Sequence, residues 1–230
     1  MEGDKIVSDI LKESNISVSQ LIATDEWLSD NKGLITSKAG EVITAGIADL
    51  ERISSLETPP SAIAVVDMFE HTLDMHELAD TWCIALDTIQ DPGNLGTIIR
   101  SADWFGIRHI ICNDSCADYF SPKVVQASMG AILRVKVYYE DLGTMVKKYA
   151  SSLSHTVYGT FMEGMPVYNI HPDKGGLIIF GNESRGISHE LVPLIQARIT
   201  IPPGKNGDSH IESLNVASSV SVVCSVISRL

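Results

Sequence analysis

Three stretches of the 230-residue chain combine tight turns with side chains able to grip anions or hydroxyls. The first is Asp91-Pro92-Gly93-Asn94, followed six residues on by Arg100. Its turn residues break one element and open the next, and Asn94 can cap a helix starting there. A helix N-terminus favours anions such as phosphate. A guanidinium such as that of Arg100 grips phosphate through paired hydrogen bonds, although a surface ion pair is its plainer role. The second stretch is Phe180-Gly181-Asn182-Glu183-Ser184-Arg185-Gly186-Ile187. Gly181 lets a ligand approach the backbone closely, and Glu183 can accept hydrogen bonds from a hydroxyl or support the loop. The third runs from Ile199 through Ile201-Pro202-Pro203 and a Gly/Asn/Asp/Ser loop to Ser213-Leu214-Asn215-Val216. Its irregular backbone leaves N–H and C=O groups for a ligand or a neighbour. Ser213 or Asn215 is placed to cap the helix that follows.

Each stretch must be positioned by its flanking elements. From residue 82 onward, short apolar runs alternate with helical patterns. Residues 82–86, 108–113, 132–138, 156–160, 176–181 and 198–201 read as strands. Residues 95–105, 142–153, 188–196 and 213–228 read as helices, and Ser121-Pro122 opens another. In the first of these helices the apolar stripe Leu95, Ile98, Ile99, Ala102 excludes Arg100. The last is rich in small and β-branched residues and needs tertiary contacts to be a helix. This alternation predicts an α/β fold with a mainly parallel sheet covered on both faces. Ligands in such folds bind beyond the C-terminal ends of the strands, where all three polar stretches lie. Residues 1–75 read as a separate small α/β unit, with helices over 5–13, 25–30 and 39–47 and strands over 18–23 and 62–66.

The net charge of −12 disfavours phosphate binding, which Lys and Arg drive. Residues 1–75 hold 5 Lys/Arg against 14 Asp/Glu, however, while residues 76–230 hold 12 against 15. The acidity belongs to the first third and leaves room for a local basic patch elsewhere. No run of about 18 apolar residues occurs, and the polar start argues against a signal peptide. A cytoplasmic protein with no membrane partner is expected. Cys83, Cys112, Cys116 and Cys224 read as buried reduced thiols. Cys112 and Cys116 lack a second pair for zinc, and His71 and His76 do not share a helical face, so no metal is expected. The strand at 82–86 is not followed by G-x-G-x-x-G, which argues against a dinucleotide-binding dehydrogenase.

Taken together and in order, the three stretches resemble the SpoU family of RNA ribose 2′-O-methyltransferases, within the SPOUT superfamily. Asn94 and Arg100 match the first family motif. Gly181, Asn182, Glu183 and Gly186 match the second, and Ile201, Pro202, Ser213, Leu214, Asn215 and Val216 match the third. The likeness covers about residues 80–230 as the methyltransferase domain. Residues 1–75 resemble the family's small α/β RNA substrate-binding domain, joined one strand in, so its first strand is expected to be missing. The loop over 203–212 is longer than in many members.

The resemblance implies a SPOUT α/β-knot, with a C-terminal trefoil knot and a mainly parallel sheet. It implies S-adenosyl-L-methionine as cofactor, contacted by Gly181, Ile201 and Leu214, with Thr160 on a neighbouring strand. It also implies a homodimer in which Arg100 of one protomer completes the other's site, and RNA as partner, ribosomal ahead of transfer RNA. Arg100, Asn94, Glu183, Ser213 and Asn215 then form the catalytic set. Arg100 clamps the target phosphate and stabilises developing charge, and the others shape the site and orient the ribose. The sulfonium already activates the methyl group, so the chemistry requires no metal. The alternative is a protein that keeps the fold and binds RNA without catalysis.

Overall fold

The computed structural model describes residues 1–13, 16–35, 39–153, 155–171, 175–204 and 213–230. The chain divides into two compact units, Met1–Glu70 and His71–Leu230. The expected loop over 203–212 lies outside the described residues beyond Gly204.

The first unit contains α1 (Asp4–Lys12), β1 (Val18–Ala23), α2 (Asp25–Asp30), β2 (Ala39–Thr44), α3 (Ile47–Ile53) and β3 (Ala62–Val66). Its sheet has the order β2-β1-β3, with β1 parallel to β2 and antiparallel to β3. Helix α1 buries Val7, Ile10 and Leu11, the spacing of one helical face. Thr24 caps α2 by accepting the Trp27 N–H. Residues 39–47 are not the expected helix. Ala39 and Glu41 have weak strand preference, but pairing of Leu21 with Val42 and Ile22 with Ile43 overrides it. At the chain start, the Met1 amine donates to the Ala64 carbonyl at 2.8 Å and Glu2 bridges Ile63.

The second unit contains β4 (Trp82–Leu86), α4 (Pro92–Trp104), β5 (His109–Cys112), α5 (Pro122–Ser128), β6 (Lys136–Tyr139), α6 (Leu142–Ser152), β7 (Val157–Pro166), β8 (Gly176–Phe180), β9 (Ala197–Thr200) and α7 (Val216–Ile227). The sheet order is β6-β5-β4-β8-β7-β9, and every neighbouring pair is parallel. Successive strand residues point to opposite faces. Cys83, Ala85, Ile111, Leu177 and Ile179 pack with Leu142, Met145, Val146 and Tyr149 of α6. The alternate residues Ile84, Leu86, Ile110, Ile178 and Phe180 are equally buried, as two-sided coverage of a parallel sheet requires.

Helices α4 and α7 pack against each other, with the Ser101 and Ser221 hydroxyls 2.8 Å apart. Helices α4 and α5 approach so closely that a Cβ on Gly96 would lie 2.5 Å from the Ala127 Cβ. The chain's last helix thus obtains from α4 the tertiary support that its Val- and Ser-rich composition needs.

Two expected elements are corrected. Residues 188–196 hold only a 3-10 turn, Val192–Leu194, because Pro193 removes a helical donor and clashes with the preceding turn. The strand expected from residue 132 starts at Lys136. Met129 and Gly130, at φ 52° and 86°, turn the chain into a short 3-10 segment first. Strand β7 also runs further than expected, because it slips register between Thr160 and Met165, both opposite Ile199. Among the described residues, no helix is long and apolar enough to cross a membrane.

Candidate active site

Strand order reverses beside β4, with β5 and β6 on one side and β8 and β7 on the other. In open α/β sheets ligands bind at such a switch point, beyond the carboxyl ends of the strands. Asn94 follows β4 and Glu183 follows β8. The sheet therefore brings together two side chains 89 residues apart: Asn94 Nδ2 donates to Glu183 Oε1 at 2.6 Å. Asn215, a further stretch away, donates through Nδ2 to Asn94 Oδ1 at 3.0 Å.

Asp91, rather than Asn94, caps α4. Its Oδ1 accepts the Asn94 N–H at 2.8 Å, and Pro92 occupies the first turn, where a missing N–H costs nothing. The Asn94 side chain is thereby released to the cluster. Asn215 caps α7, which starts at Val216 rather than at residue 213. Its Oδ1 accepts the N–H groups of Ala217 and Ser218 at 2.9 and 3.3 Å. One residue both starts the helix and closes the cluster.

The loop that carries Glu183 is pinched shut. Asn182 and Gly186 exchange backbone hydrogen bonds of 3.1 and 2.8 Å. Asn182 Oδ1 accepts the N–H groups of Ser184 and Arg185 at 3.0 and 3.2 Å. A Cβ on Gly181 would lie 2.2 Å from the Gly186 carbonyl carbon, and Gly186 itself sits at φ 70°. The loop's own backbone therefore requires glycine at 181. Glu183 is held exposed at the tip.

The remaining predicted residues divide into two groups. Thr160 on β7, Gly181 after β8 and Ile201 after β9 lie at three neighbouring strands. The Thr160 hydroxyl is occupied, donating to the Ile179 carbonyl at 3.1 Å. Leu214, 51% exposed, precedes Asn215. Arg100 and Ser213 are exposed and make no hydrogen bond to the cluster among the described residues. Six residues along α4 put Arg100 roughly 120° around the helix from Asn94.

Sequence reasoning missed Asp87, Asn113 and Ser188, which lie beneath the two loops and bond to one another. The one sequence signal was an acid placed directly after an apolar strand. Cys116 lies beside them, its Sγ accepting the Ile89 N–H at 3.3 Å. The neighbouring Cys112 thiol and backbone N–H groups hold the Cys116 pKa below the ordinary thiol range. Cys112, donating to Cys116 and buried, is pushed well above it.

With this geometry in place, the chain can be set beside known proteins. It belongs to the SpoU rRNA methylase family, whose model matches residues 81–225. It is similar to the 23S rRNA (guanosine(2553)-2′-O)-methyltransferase of Bacillus subtilis, at 28% identity over 227 residues, 97% of this chain and 85% of that one. A structure assigned to the TrmH family of RNA methyltransferases, from Porphyromonas gingivalis, superposes with TM-score 0.84 and 36% identity, covering 98% of this chain and 87% of the other. The SpoU methyltransferase AviRb from Streptomyces viridochromogenes, solved with AdoMet, shares the fold at TM-score 0.81 and 23% identity, over 100% and 88% of the two chains. The fold class is that of the SPOUT methyltransferases.

Proposed function

We propose that this protein is an S-adenosylmethionine-dependent methyltransferase acting on a ribose 2′-hydroxyl in structured RNA, with ribosomal RNA as substrate. The observation that carries the proposal is the bonded triplet Asn94, Glu183 and Asn215, gathered from three distant stretches at the switch point of a SpoU-family sheet. The Bacillus subtilis relative, named for 2′-O-methylation of 23S rRNA, supports it.

The residues present fit the cofactor. Gly181 and Ile201, small or aliphatic, follow β8 and β9, Thr160 lies within β7 between them, and half-exposed Leu214 adds an apolar surface. Such a site suits a flat ring held by backbone groups, and the nearby Glu183 carboxylate suits a cation. When bound, S-adenosylmethionine supplies an electrophilic methyl group on sulfur.

This chain's own residues do the rest. Asn94 holds one Glu183 oxygen, which leaves further lone pairs to accept from the ribose hydroxyl. Asn215 fixes Asn94 in turn, and Ser213, two residues earlier, helps orient the ribose. Positioning of this kind can lower a barrier by up to about 7–11 kcal/mol. Arg100 offers five N–H donors in a fixed planar fork. It clamps the target phosphate and offsets charge developing on the 2′-oxygen. Its place around α4 from Asn94 suits service to a second copy, so the working form is a homodimer with Arg100 shared across it. The Met1–Glu70 unit serves as the RNA substrate-binding part. Its acidity leaves phosphate contacts chiefly to Lys and Arg of the larger unit. The setting is cytoplasmic.

The test is incubation with labelled S-adenosylmethionine and 23S rRNA, with the product mapped by resistance to alkaline cleavage. A discrete 2′-O-methyl site is expected. RNA binding with no uptake of S-adenosylmethionine in calorimetry would replace the proposal with a non-catalytic RNA-binding role.

A further inference from the structure

We infer that Asp87 is a positioning residue that holds the two loops of the cluster at bonding distance; the inference rests on reading that cluster as the methyl-transfer site. Asp87 directly follows β4 and is 1% exposed. A buried carboxylate is costly unless donors surround it. Three do, from three different places. The Thr88 hydroxyl donates at 3.0 Å, Asn113 Nδ2 after β5 at 2.9 Å, and the Ser188 N–H beyond the Glu183 loop at 2.6 Å. Among the described residues, no Lys or Arg pairs with it. The charge gathers neutral donors rather than offsetting a cation.

The next residue shows that the arrangement is imposed. Thr88 sits at φ 63°, a left-handed conformation that side-chain-bearing residues rarely adopt. It is held from both sides: its N–H donates to Asn113 Oδ1 at 3.0 Å, and its carbonyl accepts from Asn182 Nδ2 at 3.0 Å. The Glu183 loop is therefore fastened to the end of β4 at its entrance by Asn182 and at its exit by Ser188. Strands β4 and β8 are already paired along their whole length, from Trp82 with Gly176 to Leu86 with Phe180. The added fasteners act on what lies beyond the strands, namely the 2.6 Å contact between Asn94 and Glu183.

Asp87→Asn keeps the shape and turns one acceptor into a donor facing donors. Its kcat for RNA methylation should fall about 30-fold or more, with KM for RNA within about threefold of the parent. In a Glu183→Ala background the same change should cost less than about threefold, because the contact it serves is already lost. Full additivity, or near-parental kcat in the single variant, overturns the inference. Backbone hydrogen exchange over residues 181–188 reads the anchoring without turnover and should quicken about tenfold in Asp87→Asn. Absence of methylation by the parent protein counts against the proposed function alone. In that case unchanged exchange still overturns the role of Asp87. Should Asp87→Asn not fold, Asn113→Ala removes one donor and leaves the carboxylate. It should lose about tenfold in kcat and show faster exchange over the same segment, and parental values for both would overturn the inference.

Discussion

The two ends of the six-stranded sheet are built on different principles. At the C-terminal end, polar side chains from distant stretches converge, half-buried Asn94 with exposed Glu183 and Asn215. At the N-terminal end, polar groups close on one another. His109 Nδ1 lies 3.0 Å from the Tyr138 hydroxyl, and Lys136 meets Glu77 at 2.6 Å. The N-terminal end also has a hollow, a cleft of about 410 Å³ lined by Trp82, Phe105, Arg108, His109, Ile227 and Leu230, among others. Space without convergent, unspent hydrogen-bonding capacity is weak ground for a site. The C-terminal end has the convergence, in the bonded triplet of Asn94, Glu183 and Asn215.

Substitutions at the two ends should therefore separate activity from stability. The largest effect is expected for Arg100→Ala, which removes the proposed phosphate clamp. Methylation should drop by about 10³-fold, while calorimetric affinity for S-adenosylmethionine stays within a few fold. Collapse of both together would contradict the division of labour. Asn94→Ala should cost about 10²-fold in kcat and leave the unfolding midpoint nearly unmoved. A large loss of stability there would make Asn94 a structural residue like those at the opposite end.

Gly181→Ala should destabilise by about 1–3 kcal/mol in denaturant unfolding, since its Cβ meets the Gly186 backbone. The opposite end supplies the converse case. Tyr138→Phe should cost about 1 kcal/mol by stranding its His109 partner, with methylation unchanged. Loss of activity in that variant would erase the contrast between the ends.

Acidification probes the closed end. Burial, together with the Lys136 charge, holds the His71 pKa below the ordinary imidazole value; burial does the same for His109, although Glu77 pulls the other way. A lowered folded pKa means that the unfolded chain takes up protons first as pH falls. The associated stability is full above about 6.5 and is lost as pH drops toward the folded values. Thermal midpoints should fall between about pH 7.5 and pH 5.5, and a flat profile would show that neither imidazole is restrained. The smallest effect is expected for Tyr149→Phe. The buried Tyr149 hydroxyl has no hydrogen-bond partner among the described residues, so its removal should be neutral or slightly stabilising.

Periodicity and turn chemistry revealed the alternating architecture and the three polar stretches, because both are written in neighbouring residues. They could not reveal who meets whom. Asn94 looked like a helix cap, yet Asp91 takes that role three residues earlier, and the Asn94 side chain goes to Glu183 instead. Gly181 was legible as a point of close backbone approach, and the neighbour that demands glycine there is Gly186. Ala39–Thr44 looked helical because its strand character comes from β1 alongside it. Asp87 went unnoticed because its donors come from Thr88, Asn113 and Ser188, up to 101 residues away. For Ala39–Thr44 and Asp87, partners remote in the chain decided what a local pattern left open.

The bond from Asn215 back to Asn94 spans 121 positions. A chain emerging from the ribosome can pair β4 with β5 early, but it cannot finish the triplet until the start of α7 has been synthesised and docked. Contacts this distant are slow to form, because a long loop must close before they repay the lost freedom. The growing polypeptide thus lacks the completed triplet through most of its own translation.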